Sequence, residues 1–429
     1  MMKKNVMLQA LRTLAVASGM VLLGVGPAWS LAPETAMLLG LLKGKGVISA
    51  SEAAEFTKTL ETKAATIAPA ADDHYHSVQS LKDRVERLEG KGGEGLAEIA
   101  NKIDLSGLVE VDLSSARTKD AEGHKSNSSD ITLATAQMNA DAAVNQYVNA
   151  HLALLYEEDP DDSSNNHIIL DEAIIGLKGG EAWPAYANLG RLYVPFGNFE
   201  SHFISDPQTL ILGETNDTAV IIGYANDIMD VNAGVFRDKV KETGKGDHIS
   251  RGVASAKFSW PKGGSEKGLA MTGGASYLSN LAASDGLVAD QQEEGNEGLI
   301  TATGEIDHVV GGASAFLGLA YADRYLFDAE YLGALGSFAD GDFSFVDDHN
   351  RRPQAWNVEA AARFADKLEF ALRYGGSDEA GTFLAEEEYG AALLYDIFDN
   401  TSITVEYLVQ DFQDESNNSQ VTTQLAVEF

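Results

Sequence analysis

Ten charged residues stand at spacings with chemical consequences. Glu110 and Asp112 are two apart, as are Asp328 and Glu330. Glu172, Glu359, Glu369 and Glu406 sit in similar surroundings, and Arg363 and Arg373 each follow an acid by four residues. Residues two apart point to the same side of an extended strand. Carboxylates gathered on one side of a confined aqueous space favour cations, and facing guanidinium groups set up a transverse field. The plainer role is pairing across neighbouring strands, which stiffens a wall. Hydrolytic or phosphoryl chemistry finds no support: there is no Gly-x-Ser-x-Gly, no His-Glu-x-x-His and no P-loop. The nine histidines are scattered. His74 with His76, and His124 with nearby acids, read as surface residues rather than metal ligands. No enzyme, cofactor or metal centre is expected.

The elements that must position these charges are strands. Ile403, Val405, Tyr407 and Val409 alternate with Ser402, Thr404, Glu406 and Gln410. Leu368, Phe370, Leu372 and Tyr374 alternate with Lys367, Glu369 and Arg373, and Trp356, Val358, Ala360, Ala362 and Phe364 with Asn357, Glu359 and Arg363. Val148, Leu152, Leu154 and Tyr156 oppose Asn145, Asn149 and His151. Period-2 alternation gives each strand one apolar and one polar face.

A soluble sandwich alternates too, and three features decide against it. Short turns (141–143, 179–184, 226–227, 261–266, 365–366 and 399–400) alternate with long polar stretches (114–129, 158–166, 196–216, 239–249, 280–307, 335–353, 376–386 and 411–418), the pattern of a transmembrane barrel. Trp183-Pro184 and Trp260-Pro261 fall at the same end, where an interfacial aromatic girdle lies. The chain stops at Phe429, on the same strand face as Val427, Leu425 and Val421. A terminal Phe on an amphipathic last strand resembles the signal read by the barrel-assembly machinery; Leu425, Val427 and Phe429 would carry it. The reading is an all-β transmembrane barrel of 16 antiparallel strands over 101–429. Strands start near 103, 130, 145, 167, 185, 217, 228, 250, 267, 309, 325, 354, 367, 387, 400 and 419. Leu299 to His308 is assigned to an external loop, because a strand there would break the even count. With the apolar face on lipid, Glu110, Asp112, Glu172, Asp328, Glu330, Glu359, Arg363, Glu369, Arg373 and Glu406 line the lumen.

The first hundred residues differ. Lys3, Lys4 and Arg12 precede a 12-residue uncharged apolar run, Leu14 to Val25, and Ala28-Trp29-Ser30 suits signal peptidase. Residues 1–30 are expected to be a signal peptide cleaved after Ser30. Residues 31–100 read as helical: Ser49 and Glu52 form a capping box, and Val78, Leu81, Val85 and Leu88 follow a short a/d pattern that hints at a homotrimer.

Composition bounds the rest. The 429 residues hold no cysteine, so neither a disulfide scaffold nor a lipoprotein anchor is available. At 44% hydrophobic residues the chain lacks the ~20-residue apolar runs of a helical membrane protein. The formal charge of −34 repels nucleic acid and concentrates cations. The acidic run Glu157-Glu158-Asp159 with Asp161-Asp162 could bridge lipopolysaccharide through divalent ions, but has no EF-hand spacing.

The segment Gly190-Arg191-Leu192-Tyr193-Val194-Pro195-Phe196-Gly197 resembles a strand-to-loop motif of porin families, carried by Gly190, Arg191, Pro195, Phe196 and Gly197. The stretches "VVGGASAFLGLAYADRYLFDAEYLGALGSF" and "PQAWNVEAAARF" resemble the LbtU family of siderophore porins, from about residue 100 to the end. The resemblance implies an outer-membrane porin of a Gram-negative bacterium, set among lipid and lipopolysaccharide, that admits a ferric siderophore without TonB. A TonB-linked transporter needs ~22 strands and a folded plug. The alternative is a general, weakly cation-selective porin for small hydrophilic solutes. Phosphate-selective porins share the Val-Pro-Phe-Gly style of motif but need basic ladders; this chain has 31 basic against 65 acidic residues.

Overall fold

The computed structural model describes residues 102–158, 166–180, 183–246, 249, 251–261, 268–288, 305–343, 351–364 and 367–429. The expected signal peptide and helical segment lie outside these residues. Sixteen antiparallel strands close into one barrel. They are β1 (Ile103–Lys119), β2 (Lys125–Asn145), β3 (Val148–Tyr156), β4 (Ile169–Lys178), β5 (Ala185–Tyr193), β6 (Asn216–Ala225), β7 (Met229–Phe236) and β8 (Arg251–Trp260). They continue as β9 (Leu269–Leu278), β10 (Gly312–Tyr321), β11 (Tyr325–Ala334), β12 (Gln354–Phe364), β13 (Leu368–Asp378), β14 (Glu387–Phe398), β15 (Thr401–Asp411) and β16 (Asn417–Glu428). Each start falls within five residues of its expected position. Glu305–Ile306 is extended but pairs in parallel with Lys241–Glu242 outside the barrel, so the described part of this region, 305–308, adds no wall strand.

The ring closes where β16 meets β1, from Leu108 opposite Glu428 to Lys119 opposite Asn417. Closure leaves no strand edge unpaired, which lipid requires. Phe429 completes the seam: it exchanges backbone hydrogen bonds with Gly107 at 2.8 and 3.0 Å. A Cβ at Gly107 would lie 2.5 Å from the Phe429 ring, so glycine leaves the room this ring occupies.

The register puts the expected apolar residues on the outer face. Tyr374, Leu372 and Phe370 pair with Val358, Ala360 and Ala362, and Val405 and Tyr407 with Leu393 and Ala391. These large side chains are exposed along the wall, the pattern of a surface solvated by lipid. No helix among the described residues is long and apolar enough to cross a membrane.

One loop differs from expectation. Residues 114–129 read as a polar loop, yet β1 and β2 run on to Lys119 opposite Lys125 and leave only 120–124 between them. These strands of 17 and 21 residues exceed the ~9–11 that span a bilayer. Beyond the membrane both faces meet water, so the ladder continues while the apolar alternation vanishes. Thr118 and Ser126 hydroxyls, 2.6 Å apart, and Arg117 Nε donating to Asn127 Oδ1 mark the projecting hairpin.

Candidate functional site: a pinned loop and an acidic passage

Residues 194–215, between β5 and β6, cross the bore. Val194 N–H donates to Thr215 O at 2.8 Å and closes the base of this loop. Phe196 N–H donates to Val194 O, which turns the chain at Pro195. Gly197 then takes φ +82°, where a Cβ would lie 2.2 Å from the Phe199 ring. Gly190 takes φ +137°, and a Cβ there would lie 1.9 Å from Ala173 O. The glycines of the motif therefore serve close approach and a backbone region that side chains avoid. Arg191 lies on the outer face, opposite Ala173 and Thr218, and its Nε donates to Asp171 O at 3.1 Å.

The crossing loop is held by carboxylates of the far wall. Glu330 on β11 accepts the N–H groups of Asn198 and Phe199 at 2.8 and 2.9 Å. Glu359 on β12 accepts Ser201 Oγ at 3.0 Å and His202 N–H at 2.7 Å. Glu406 on β15 accepts the N–H groups of Ile204 and Ser205. Charge-assisted bonds of this kind are short and strong. Arg373 on β13, diametrically opposite β5 in the ring, is the centre of the attachment. It donates to Glu359, Glu388, Ser201 Oγ, Ser205 Oγ and the carbonyls of Ser205 and Asp206. Its guanidinium also lies 4.3 Å from the centre of the Phe203 ring. Gln208 bonds Glu388 at 2.6 Å and begins the six-residue helix α1 (Gln208–Gly213).

An apolar filling backs the loop. Leu192, Ile221, Phe236, Val253, Leu278, Leu332 and Ala355 face inward near the long-loop end of β5–β12. They pack with Phe196, Leu212, Leu281, Leu287, Phe338 and Leu384 from the loops. A Cβ on Gly286 would lie 2.0 Å from Ile211 O, so the 279–288 loop presses onto α1.

The ten expected lining residues fall into two groups. Glu330, Glu359, Arg373 and Glu406 point inward but lie beneath the loop, with relative exposures of 9%, 0%, 3% and 2%. The corrected reading is that these four anchor the loop rather than meet the bore. Glu110, Asp112, Glu172, Asp328, Glu369 and Arg363 stay partly exposed. Glu172 pairs with His151 at 3.4 Å, and Arg363 with Glu369 at 2.7 Å. Glu172 lies opposite Ala153, and a bulge beside it adds Asp171 to β4, whose carboxylate accepts from Tyr193 Oη at 3.0 Å and Asn216 Nδ2 at 3.1 Å.

Sequence reasoning missed the loop's own groups, His202, Ser201, Ser205 and Gln208, and the acids Asp206 and Glu214. Asp206 and Glu157 are exposed and Glu214 is half-buried. Burial and the neighbouring Asp206, Asp285, Asp171 and Glu157 charges push the Glu214 carboxyl up to about 7. The strongest charges around Glu214 are thus all acidic. The missed signal was the apolar run Leu210-Ile211-Leu212 with Phe199 and Phe203 inside a supposedly solvated loop. Exposed Asp120, Glu122 and His124 cluster at the hairpin tip, within reach of one ion.

No family model matches the chain. It is 27% identical over 290 residues to a UPF0422 protein of Coxiella burnetii, covering 66% of this chain and 59% of that protein. It is 28% identical over 243 residues to a UPF0422 protein of Legionella pneumophila, covering 55% of this chain and 45% of that one. The chain thus spans about half the length of these relatives. Among solved structures it resembles the outer-membrane channel DcaP of Acinetobacter baumannii (TM-score 0.53, 15% identity, 76% of this chain and 97% of that one). It also resembles the anion-selective porin of Comamonas acidovorans (TM-score 0.51, 14% identity, 76% and 99%). The chain has the fold of an outer-membrane porin and is similar in sequence to the UPF0422 proteins.

Proposed function

We propose that the protein is a diffusion channel of the Gram-negative outer membrane whose narrowed bore favours cationic and neutral hydrophilic solutes. The supporting observation is the acidic rim that the crossing loop turns toward β1, β3 and β4. Asp206 and Glu214 on the loop neighbour Glu157 and Asp171, and Glu157 also neighbours Glu110. Arg373, the basic group beside Asp206, is paired with Glu359 and Glu388. In this reading Glu110, Asp112, Glu172, Asp328, Glu369 and Arg363 meet the permeating solute. Planar-bilayer reversal potentials across a salt gradient test it: cation preference is expected, and anion preference would overturn it.

A second reading is uptake of a ferric siderophore independently of TonB. It is favoured by the motif resemblance, whose segments hold β10, β11 and β12. The acidic rim limits the cargo to a neutral or cationic complex. Block of single-channel current by ferric siderophore supports it; unblocked current and no cellular uptake of labelled complex reject it. The same reading includes a cleaved signal peptide, a periplasmic helical segment over 31–100, homotrimers, contact with lipopolysaccharide, and Leu425, Val427 and Phe429 as the insertion signal.

A further inference from the structure

The loop's anchors differ in what can change them. Glu330 and Glu406 are bonded by backbone N–H groups, donors that do not titrate. His202 is different. Its Nδ1 lies 2.7 Å from Glu369 Oε1 on β13, and its Nε2 lies 3.2 Å from Asp328 Oδ2 on β11. A neutral imidazole donates from one nitrogen only, so two carboxylates, one at each nitrogen, match an imidazolium.

We propose that His202 is the positioning residue that sets the width of the passage, its doubly protonated ring tying the crossing loop to β11 and β13 at once. The proposal rests on the channel reading above. The charged groups around the ring leave it this role. Glu330 is taken by Asn198 and Phe199, and Glu359 by Arg373 and the His202 N–H. Arg363 holds Glu369 Oε2, the oxygen His202 does not use. Glu200, on the same loop, is exposed and within 3.8 Å of Lys257. Asp328 has no other cation within bonding distance among the described residues, so loss of the imidazolium proton leaves it unneutralised. Burial alone would lower the His202 pKa; the bonds to Asp328 and Glu369, with the Glu369 and Glu359 charges, outweigh it and push it up to about 9.

The sign follows. A raised folded-state pKa contributes stability that is complete below about 6.5 and is lost as pH rises through about 9. The experiment records single-channel conductance of the refolded full chain from pH 6 to 10, for wild type, His202→Gln and Asp328→Asn/Glu369→Gln. Wild type is expected to step to higher conductance near pH 9. Both variants should start high and lose the step. Variants that keep the wild-type level and step would overturn the proposal. Imidazole NMR titration of the same protein separates failure of this proposal from failure of the channel reading, because it needs no conduction. A His202 ring cationic at pH 7.5 supports the proposal, and a neutral ring overturns it even if no variant conducts.

Discussion

Two sectors of one ring treat water differently. On β16 and β1–β4 the inward positions are mostly half-exposed, among them Glu110, Asp112, His151, Glu172 and Gln424. On β6 and β11–β15 the inward positions toward the long-loop end are buried, beneath the crossing loop and the apolar filling. The strands on both sides are alike in length and outer face, apart from the projecting β1–β2 hairpin. Barrel architecture therefore fixes the wall, while the inward side chains decide whether a sector holds water or protein. Polar inward faces with few loop partners stay wet. Carboxylates that find backbone N–H groups, and leucines that find other leucines, recruit the loops.

This contrast can be broken most severely at Arg373. Removing one partner of a buried ion pair costs about 3–5 kcal/mol, and Arg373→Met strips Glu359 and Glu388 of their shared cation. The loop should release while the barrel persists. Conductance should rise and protease should cut within 194–215, with far-ultraviolet circular dichroism unchanged. Leu332→Ala or Leu212→Ala comes next, at about 2–5 kcal/mol for a truncated buried leucine. Either should lower the denaturant midpoint and raise conductance without altering the sign of selectivity.

Glu157→Gln with Glu214→Gln sharpens the contrast from the open side: cation preference should fall in reversal-potential measurements, with stability above pH 7 kept or raised. The Glu214 carboxyl, raised to about 7, gives the same test by pH. Its stabilising contribution is complete below about 4.5 and is lost as pH rises through 7, while cation preference grows over that range. The smallest effect is expected at the projecting hairpin. Thr118→Ala lies outside both sectors and should change stability by less than about 0.5 kcal/mol in a melt.

The wall was legible because lipid enforces alternation. Trp356, Val358 and Ala360 against Asn357 and Glu359 state a face on their own, and Phe429 marks the closing strand. The filled sector was harder to read because its inward residues are apolar too. Tyr277-Leu278, Tyr331-Leu332 and Val235-Phe236 break the alternation near the loop ends, and a strand buried on both faces reads as a continuous apolar run. The loop site was hidden for another reason. Its wall acids are on strands, but their partners are backbone N–H groups about 130 to 200 residues away in sequence, which no spacing reveals. Inward orientation was therefore readable for Glu330, Glu359 and Glu406, whereas their cover was not.

The absence of native cysteine makes the division between sectors directly measurable. Glu110→Cys places a thiol on the open sector and Leu332→Cys places one in the filled sector, and each is treated with a charged thiol reagent during bilayer recording. Modification of the first with a fall in current, and no reaction at the second, is the predicted result. Equal reaction at both positions, or reaction at position 332 alone, would contradict a bore filled on one side and open on the other.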